Sequence, residues 1–197
     1  MTLTGRPGEE TSDEYATPPS IWRPISRALE GFDLDPASGA ESTPIAETRY
    51  TKDDDGLSQQ CFGSVWVNPP FGDKSGTGEC GREKWLRKAR QESNRDGVDQ
   101  IVFLLPVDTS TNWFHKHVVE AETICFLSRR PQFEGESVHT GFACMIFVYG
   151  DCPDELADTL EGMGAVFRGR EYARSTLQQT LEIESENDSE PDGDVDE

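Results

Sequence analysis

The chain has 197 residues, 38 acidic against 18 basic side chains, a net charge of −20 and 34% hydrophobic residues. That length suits one domain with its own core, no apolar run reaches the roughly 18 residues that a bilayer span needs, and the opening MTLTGRPGEETSDE lacks the apolar centre of a secretory signal. The five cysteines form no CxxC pair and no zinc spacing, so they read as reduced thiols of a cytoplasmic protein that holds no metal.

The charge is uneven. Nine of the 38 acids fall in residues 182–197, which carry no basic residue; this leaves 29 acids against 18 bases, near −11, for the rest. Such a body matches halophilic adaptation, in which molar salt offsets acidic self-repulsion. The composition divides the chain into a flexible leader (1–13), one domain (14–182) and an acidic disordered tail (183–197). An acidic body is an unusual partner for nucleic acid, but one local basic face is enough for phosphate contacts.

In chain order, TPPSIWRPISRALEGF predicts a short helix. Ser20 is its cap, Ile21, Trp22, Ile25, Ala28 and Leu29 share a face, Pro24 falls in the first turn and Gly31 is the stop. FDLDPASG reads as a short strand entering a tight turn, and 39–60 gives no clear element. SVWV is a buried strand that runs into Asn68-Pro69-Pro70-Phe71. GDKSGTGECG is a glycine-rich loop without the strand–GxxxxGK[ST]–helix order of a P-loop.

REKWLRKARQES predicts a helix with Trp85, Leu86 and Ala89 inward. QIVFLLPV is fully apolar, as in the middle of a parallel sheet. STNWFHKHVVEA is a helix with Ser110 or Thr111 near its cap; its His115 and His117, two apart, diverge and make no metal pair. TICFLS and FACMIFVYG are strands, PDELADTLEGM is an exposed helix starting at Pro153, and AVFRG is an edge strand. Trp22, Trp66, Trp85 and Trp113 read as core. The alternation predicts an α/β, doubly wound sheet, in which ligands sit beyond the carboxyl ends of the strands. DPASG and NPPF both follow strands.

The NPPF segment fits a particular chemistry. An exocyclic base amine is a poor nucleophile, because its lone pair is delocalised into the ring. An Asn oxygen and a neighbouring backbone carbonyl can accept its two N–H groups and turn the lone pair toward a methyl donor, while Phe71 stacks on the base. Prolines keep their carbonyls free and the loop stiff. A stiff structural turn explains the tetrapeptide alone; its place after a buried strand favours the clamp.

Basic residues cluster just beyond this segment. Arg82, Lys84, Arg87, Lys88, Arg90 and Arg95 fall in one helix and its exit, and Arg129 and Arg130 follow a strand. They read either as phosphate contacts or as solvated faces. Asp108 ends the central strand, where it either shapes a base pocket or caps the next helix.

The order of DEYATPPSIW, FDLDPASG, DGL, VWVNPPFG, WLRKA, LLPVDTSTNWFH and FLSRRPQF, across residues 13–149, resembles the phage-type (Dam-like) DNA N6-adenine methyltransferases. The resemblance implies a Rossmann-like doubly wound methyltransferase sheet, S-adenosyl-L-methionine as donor and a flipped-out adenine of double-stranded DNA as acceptor. It implies a catalytic role for Asn68, Pro69, Pro70 and Phe71. Asp35, Pro36, Ala37 and Ser38 would form the cofactor turn, Thr17 and Pro18 would lie near the cofactor's methionine end, and Asp55 would meet its adenine. Only 32 residues separate Asp35 from Asn68, which is cramped for the cofactor half, and Glu41, Glu47 and Asp53 remain alternatives for the ribose. Phage or prophage origin, a restriction-modification setting and a monomeric enzyme acting on duplex DNA away from any membrane complete the expectation. The alternatives are an N4-cytosine methyltransferase, an RNA or protein amide methyltransferase with an NPP-aromatic loop, and a non-catalytic prophage relic.

Overall fold

Among the described residues the apolar runs assemble into one seven-stranded mixed sheet with helices on both faces. The computed structural model describes residues 16–39, 44–71, 81–133 and 142–168. The leader, the tail, Glu41 and most of the glycine-rich loop lie outside the described residues.

The strands are β1 (Leu34–Asp35), β2 (Thr48–Arg49), β3 (Gly63–Val67), β4 (Val98–Pro106), β5 (Thr123–Leu127), β6 (Cys144–Gly150) and β7 (Gly164–Arg168). Their order across the sheet is β2-β1-β3-β4-β6-β5-β7. The first four are parallel, β6 runs antiparallel to both β4 and β5, and β7 is an antiparallel edge strand on β5. The strand expected inside a parallel sheet, β4, is therefore parallel to β3 but antiparallel to β6. Its apolar run reports burial on both faces, and burial alone does not fix the direction of a neighbour.

Alternate residues of β4 feed two cores. Ile101, Phe103 and Leu105 face α2 (Gly81–Glu92) and α3 (Asn112–His117), packing with Leu86, Ala89, Trp113 and Phe114. Val102 and Leu104 face α1 (Pro19–Ala28) and α4 (Asp154–Met163), packing with Ile25, Leu156 and Leu160. Truncating one of these fully buried side chains to alanine typically costs about 2–5 kcal/mol. Trp66 and Trp113 are core as expected, while Trp22 and Trp85 are half-buried against it. Helix α4, read as exposed, buries Leu156, Ala157 and Leu160 against the sheet.

The ends of α1 differ from expectation. Pro18 is the N-cap in an extended conformation and Pro19 opens the helix, so Ser20 lies inside it. Proline at the first helical position is pre-set for that role. Pro24 falls beyond the first turn, where it deprives the Ser20 carbonyl of its helical donor. The stop is shared: Glu30 takes the left-handed conformation (φ 57°), and the Gly31 N–H reaches back to Ser26 O at 2.8 Å. With Glu30 N–H on Arg27 O at 3.3 Å this makes a Schellman closure.

Candidate active site

Strands β1 to β5 all point the same way, so their carboxyl ends share one edge of the sheet. At that edge β1 and β3 are neighbours, with β2 beyond β1 and β4 beyond β3. Chain connections leave such a point in opposite directions and open a crevice. DPASG follows β1 and NPPF follows β3, so the fold brings the two segments side by side.

Asn68 is half-buried, and its Nδ2 donates to Thr17 Oγ1 at 2.9 Å. Thr17 and Pro18 are buried, so the TPP segment braces the NPPF segment directly. Pro69 is buried and Pro70 exposed. Phe71 is half-buried and meets Phe133 edge-on at 5.9 Å and Phe142 at 6.0 Å. Its carbonyl accepts a hydrogen bond from Arg82 Nη2. The Arg82 guanidinium lies 5.0 Å from the centre of the Trp113 ring.

Sequence reasoning missed Phe133 and Phe142. Both lie beside strand ends, after β5 and before β6, and nothing in their local pattern says that those ends meet β3.

The turn after β1 is tied to the chain beyond β2. Asp35 is buried, its Oδ1 accepts the Ala37 N–H at 3.1 Å, and its carbonyl accepts the Tyr50 N–H at 2.9 Å. Buried Ser38 donates its N–H to Tyr50 O at 3.0 Å. Over this turn sits the loop after β2. A Cβ placed on Gly56 would fall 1.9 Å from Pro36 O and 3.2 Å from the Trp85 ring.

Asp55 is exposed beside Gly56 at φ 47°, with its carbonyl accepting the Ser58 N–H at 2.9 Å. Asp54 is taken up by the loop: its carboxylate accepts from Thr51 N and Thr51 Oγ1 at 2.8 and 2.7 Å, which holds it below the usual carboxylate range. Of the ribose alternatives, Asp53 lies in this loop, whereas Glu47 precedes β2.

Several cations of the basic helix and its exit bond to the protein itself. Lys88 Nζ donates to Gln59 O and pairs with Glu92 at 3.6 Å. Arg90 Nη1 donates to Lys116 O at 2.9 Å, and Arg95 Nη1 to Cys61 O at 3.4 Å as well as to Glu92. Burial raises the Glu92 pKa, but the Cys61 N–H, Arg95 and Lys88 outweigh it and leave the carboxylate below its ordinary value. Arg82 and these cations therefore donate to carbonyls of neighbouring segments, three in loops and one, Lys116 O, in α3. Lys84 is half-buried and Arg87 exposed on the same helix. Arg129 and Arg130 are exposed just beyond β5, at the edge that carries NPPF.

Asp108 belongs to a turn: its Oδ1 accepts from Ser110 Oγ at 2.8 Å and Ser110 N at 3.3 Å, ahead of α3. Buried His117 places Nε2 3.4 Å from Glu83 Oε1, while His115 is exposed. Burial pushes the Cys61 and Cys144 thiols up to about 11 and about 12, so neither is a reactive thiolate near neutrality. A cavity of about 460 Å³ lies at the opposite edge of the sheet, among Arg90, Ser93, Asn94, His117 and Tyr149. Many of its polar groups are already engaged: Arg90 as above, Asn94 and Ser93 on Arg90 O, and the Tyr149 hydroxyl on His117 O. Among the described residues no helix is long and apolar enough to cross a membrane, and no group of three or more His, Cys, Asp or Glu is placed to hold a metal.

A family model described as DNA N-6-adenine-methyltransferase (Dam) matches residues 6–152. The chain belongs to this Dam family. The match takes in the TPP segment, the β1 turn, NPPF, α2, α3 and the strands through β6, and it stops before α4 and β7. No curated protein and no solved structure matches the chain significantly. Family membership makes DNA the substrate class and adenine N6 methylation the general activity of this Dam-family chain.

Proposed function

We propose that the chain is a site-specific methyltransferase that uses S-adenosyl-L-methionine to methylate N6 of an adenine flipped out of duplex DNA, on a Rossmann-like doubly wound scaffold. The observation that carries this reading is the meeting of NPPF and the DPASG turn at one strand-order switch point, with Thr17 bonded to Asn68. The cofactor residues are Asp35, Pro36, Ala37 and Ser38 of the turn, Asp55 of the loop seated on it, and Thr17 and Pro18 beside the reacting end. When bound, the cofactor supplies an electrophilic methyl group on a sulfonium.

The protein's part is orientation. The Asn68 amide oxygen and the Pro69 carbonyl accept the two hydrogens of the adenine amine, which draws nitrogen toward tetrahedral geometry and frees its lone pair. Pro70 keeps the strut between them and Phe71 stiff. Phe71 lies against the base and sets its plane. No strong base is needed, because the amine proton leaves after the new N–C bond forms. Arg87, Arg129, Arg130 and Lys84 are the cations proposed for DNA phosphates. Arg82 and Lys88, expected there from sequence, have their cationic groups on protein carbonyls instead.

The test is nucleoside mass spectrometry on duplex DNA incubated with the protein and S-adenosyl-L-methionine in molar KCl. N6-methyladenine is expected, and is lost with Asn68→Ala. Label appearing in RNA or protein instead would overturn the reading; N4-methylcytosine would keep the chemistry and change the base.

A further inference from the structure

We infer that Arg82 is a positioning residue for the NPPF segment, not a DNA contact; the inference rests on the methyltransferase reading above. The NPPF segment has two ends and a stiff middle. At one end Asn68 is fixed by Thr17. Pro69 and Pro70 follow with no backbone N–H to offer. At the other end the Phe71 carbonyl is held by the Arg82 guanidinium, and the Phe71 ring by Phe133 and Phe142.

Arg82 is the second residue of α2, so its contact also joins Phe71 to the first turn of that helix, across the loop that separates them in sequence. Its guanidinium lies over Trp113 of α3 at 5.0 Å, and its Nε is buried. A cation in the first turn of a helix sits at the unfavourable end of the macrodipole. Helix formation alone therefore gains nothing from Arg82, and the contacts to Phe71 and Trp113 must offset that term. Lying over an aromatic face while still donating to a carbonyl suits guanidinium better than ammonium.

The consequence is geometric. Without Arg82 the Phe71 carbonyl loses the guanidinium that holds it, and the ring that sets the base plane loses that brace. A displacement of about 1 Å at such a position can cost about 100-fold in rate.

Steady-state methylation of duplex DNA by wild type, Arg82→Ala and Arg82→Lys, in KCl that keeps wild type folded, tests this. Arg82→Ala is expected to lower kcat by about 10–100-fold while KM for DNA stays within about threefold, the pattern of a lost transition-state interaction. Arg82→Lys should recover part of kcat, since an ammonium can reach the carbonyl but cannot stack as a plane. Where Arg82→Ala fails to fold, Arg82→Lys decides: a kcat lowered by about 3–10-fold at unchanged KM supports the assignment. A KM that rises at unchanged kcat in Arg82→Ala and is restored fully by lysine would mark a phosphate contact and overturn it. Unchanged kinetics in Arg82→Ala or Arg82→Lys would overturn it too. Wild-type protein that leaves DNA unmethylated would instead sink the functional reading.

Discussion

Gly56 and Thr17 are the residues at which a single methyl or hydroxyl decides local structure. A Cβ at Gly56 would meet the Pro36 carbonyl at 1.9 Å, far inside contact distance, so either the DPASG turn or the loop over it must move. Gly56→Ala is expected to cost about 1–3 kcal/mol in denaturant unfolding and to weaken S-adenosyl-L-methionine binding by calorimetry; a variant that unfolds and binds like wild type would show that the turn and loop are not coupled. Thr17 is buried and accepts from Asn68 Nδ2 at 2.9 Å. Thr17→Val keeps the shape and removes the acceptor. It should lower kcat by about tenfold and stability by about 1 kcal/mol, while unchanged kcat would mean that Asn68 is oriented by other groups. NPPF was legible in sequence at this scale, because its stiffness and its amide are properties of the residues themselves. Thr17's partner was not, since 51 positions separate it from Asn68.

Helices α2 and α3 are joined through Glu83, Lys116 and His117, and these groups, with Glu92 and two buried thiols, contribute to the pH dependence of stability. Burial lowers the pKa of His117 below 6.5, despite the nearby Glu83. As pH falls below about 6.5 the unfolded chain takes up a proton that the native state refuses, so stability declines. Glu83, bonded to Lys116, and Glu92, bonded to the Cys61 N–H, both lie below 4.5. Their contribution is present above that value and is lost as pH falls through their native pKa values, which has the same sign. At the alkaline end the thiols of Cys61 and Cys144 are raised from 9.0 to about 11 and about 12, so unfolded thiolates form first and stability falls again above about 9. Denaturant midpoints measured at constant KCl should therefore plateau between about pH 6.5 and 9. His117→Gln should flatten the decline between about pH 6.5 and 5.5; a variant that keeps the wild-type slope there would assign it to another group. The α2 cations show the limit of reading an element by composition. Six bases in one helix and its exit look like a phosphate face, but Arg82, Lys88 and Arg95 donate to the loop carbonyls of Phe71, Gln59 and Cys61, and Arg90 to the Lys116 carbonyl in α3.

The whole molecule carries a net charge of −20, and that charge is a global repulsion that local pairs do not cancel. Counterions should therefore stabilise the fold. The melting temperature is expected to rise by several degrees between about 0.1 and 3 M KCl. A flat or falling profile would remove halophilic adaptation from the account and make molar salt unnecessary in the activity assay.

The alternation of strands and helices, the buried run of β4, the edge strand β7 and the stiffness of the NPPF segment were legible along the chain. Each is written in residues that are neighbours along the chain, through periodicity, glycine and proline punctuation or the side chain itself. Only the tertiary structure decided that β6 slots between β4 and β5, that β2 is a two-residue strand against β1, that Phe133 and Phe142 wall Phe71, and that Arg82 turns inward to its carbonyl. Those outcomes depend on which strand ends share an edge. That is settled by long-range pairing and by the demand that both faces of the sheet be covered, and neither leaves a local signature.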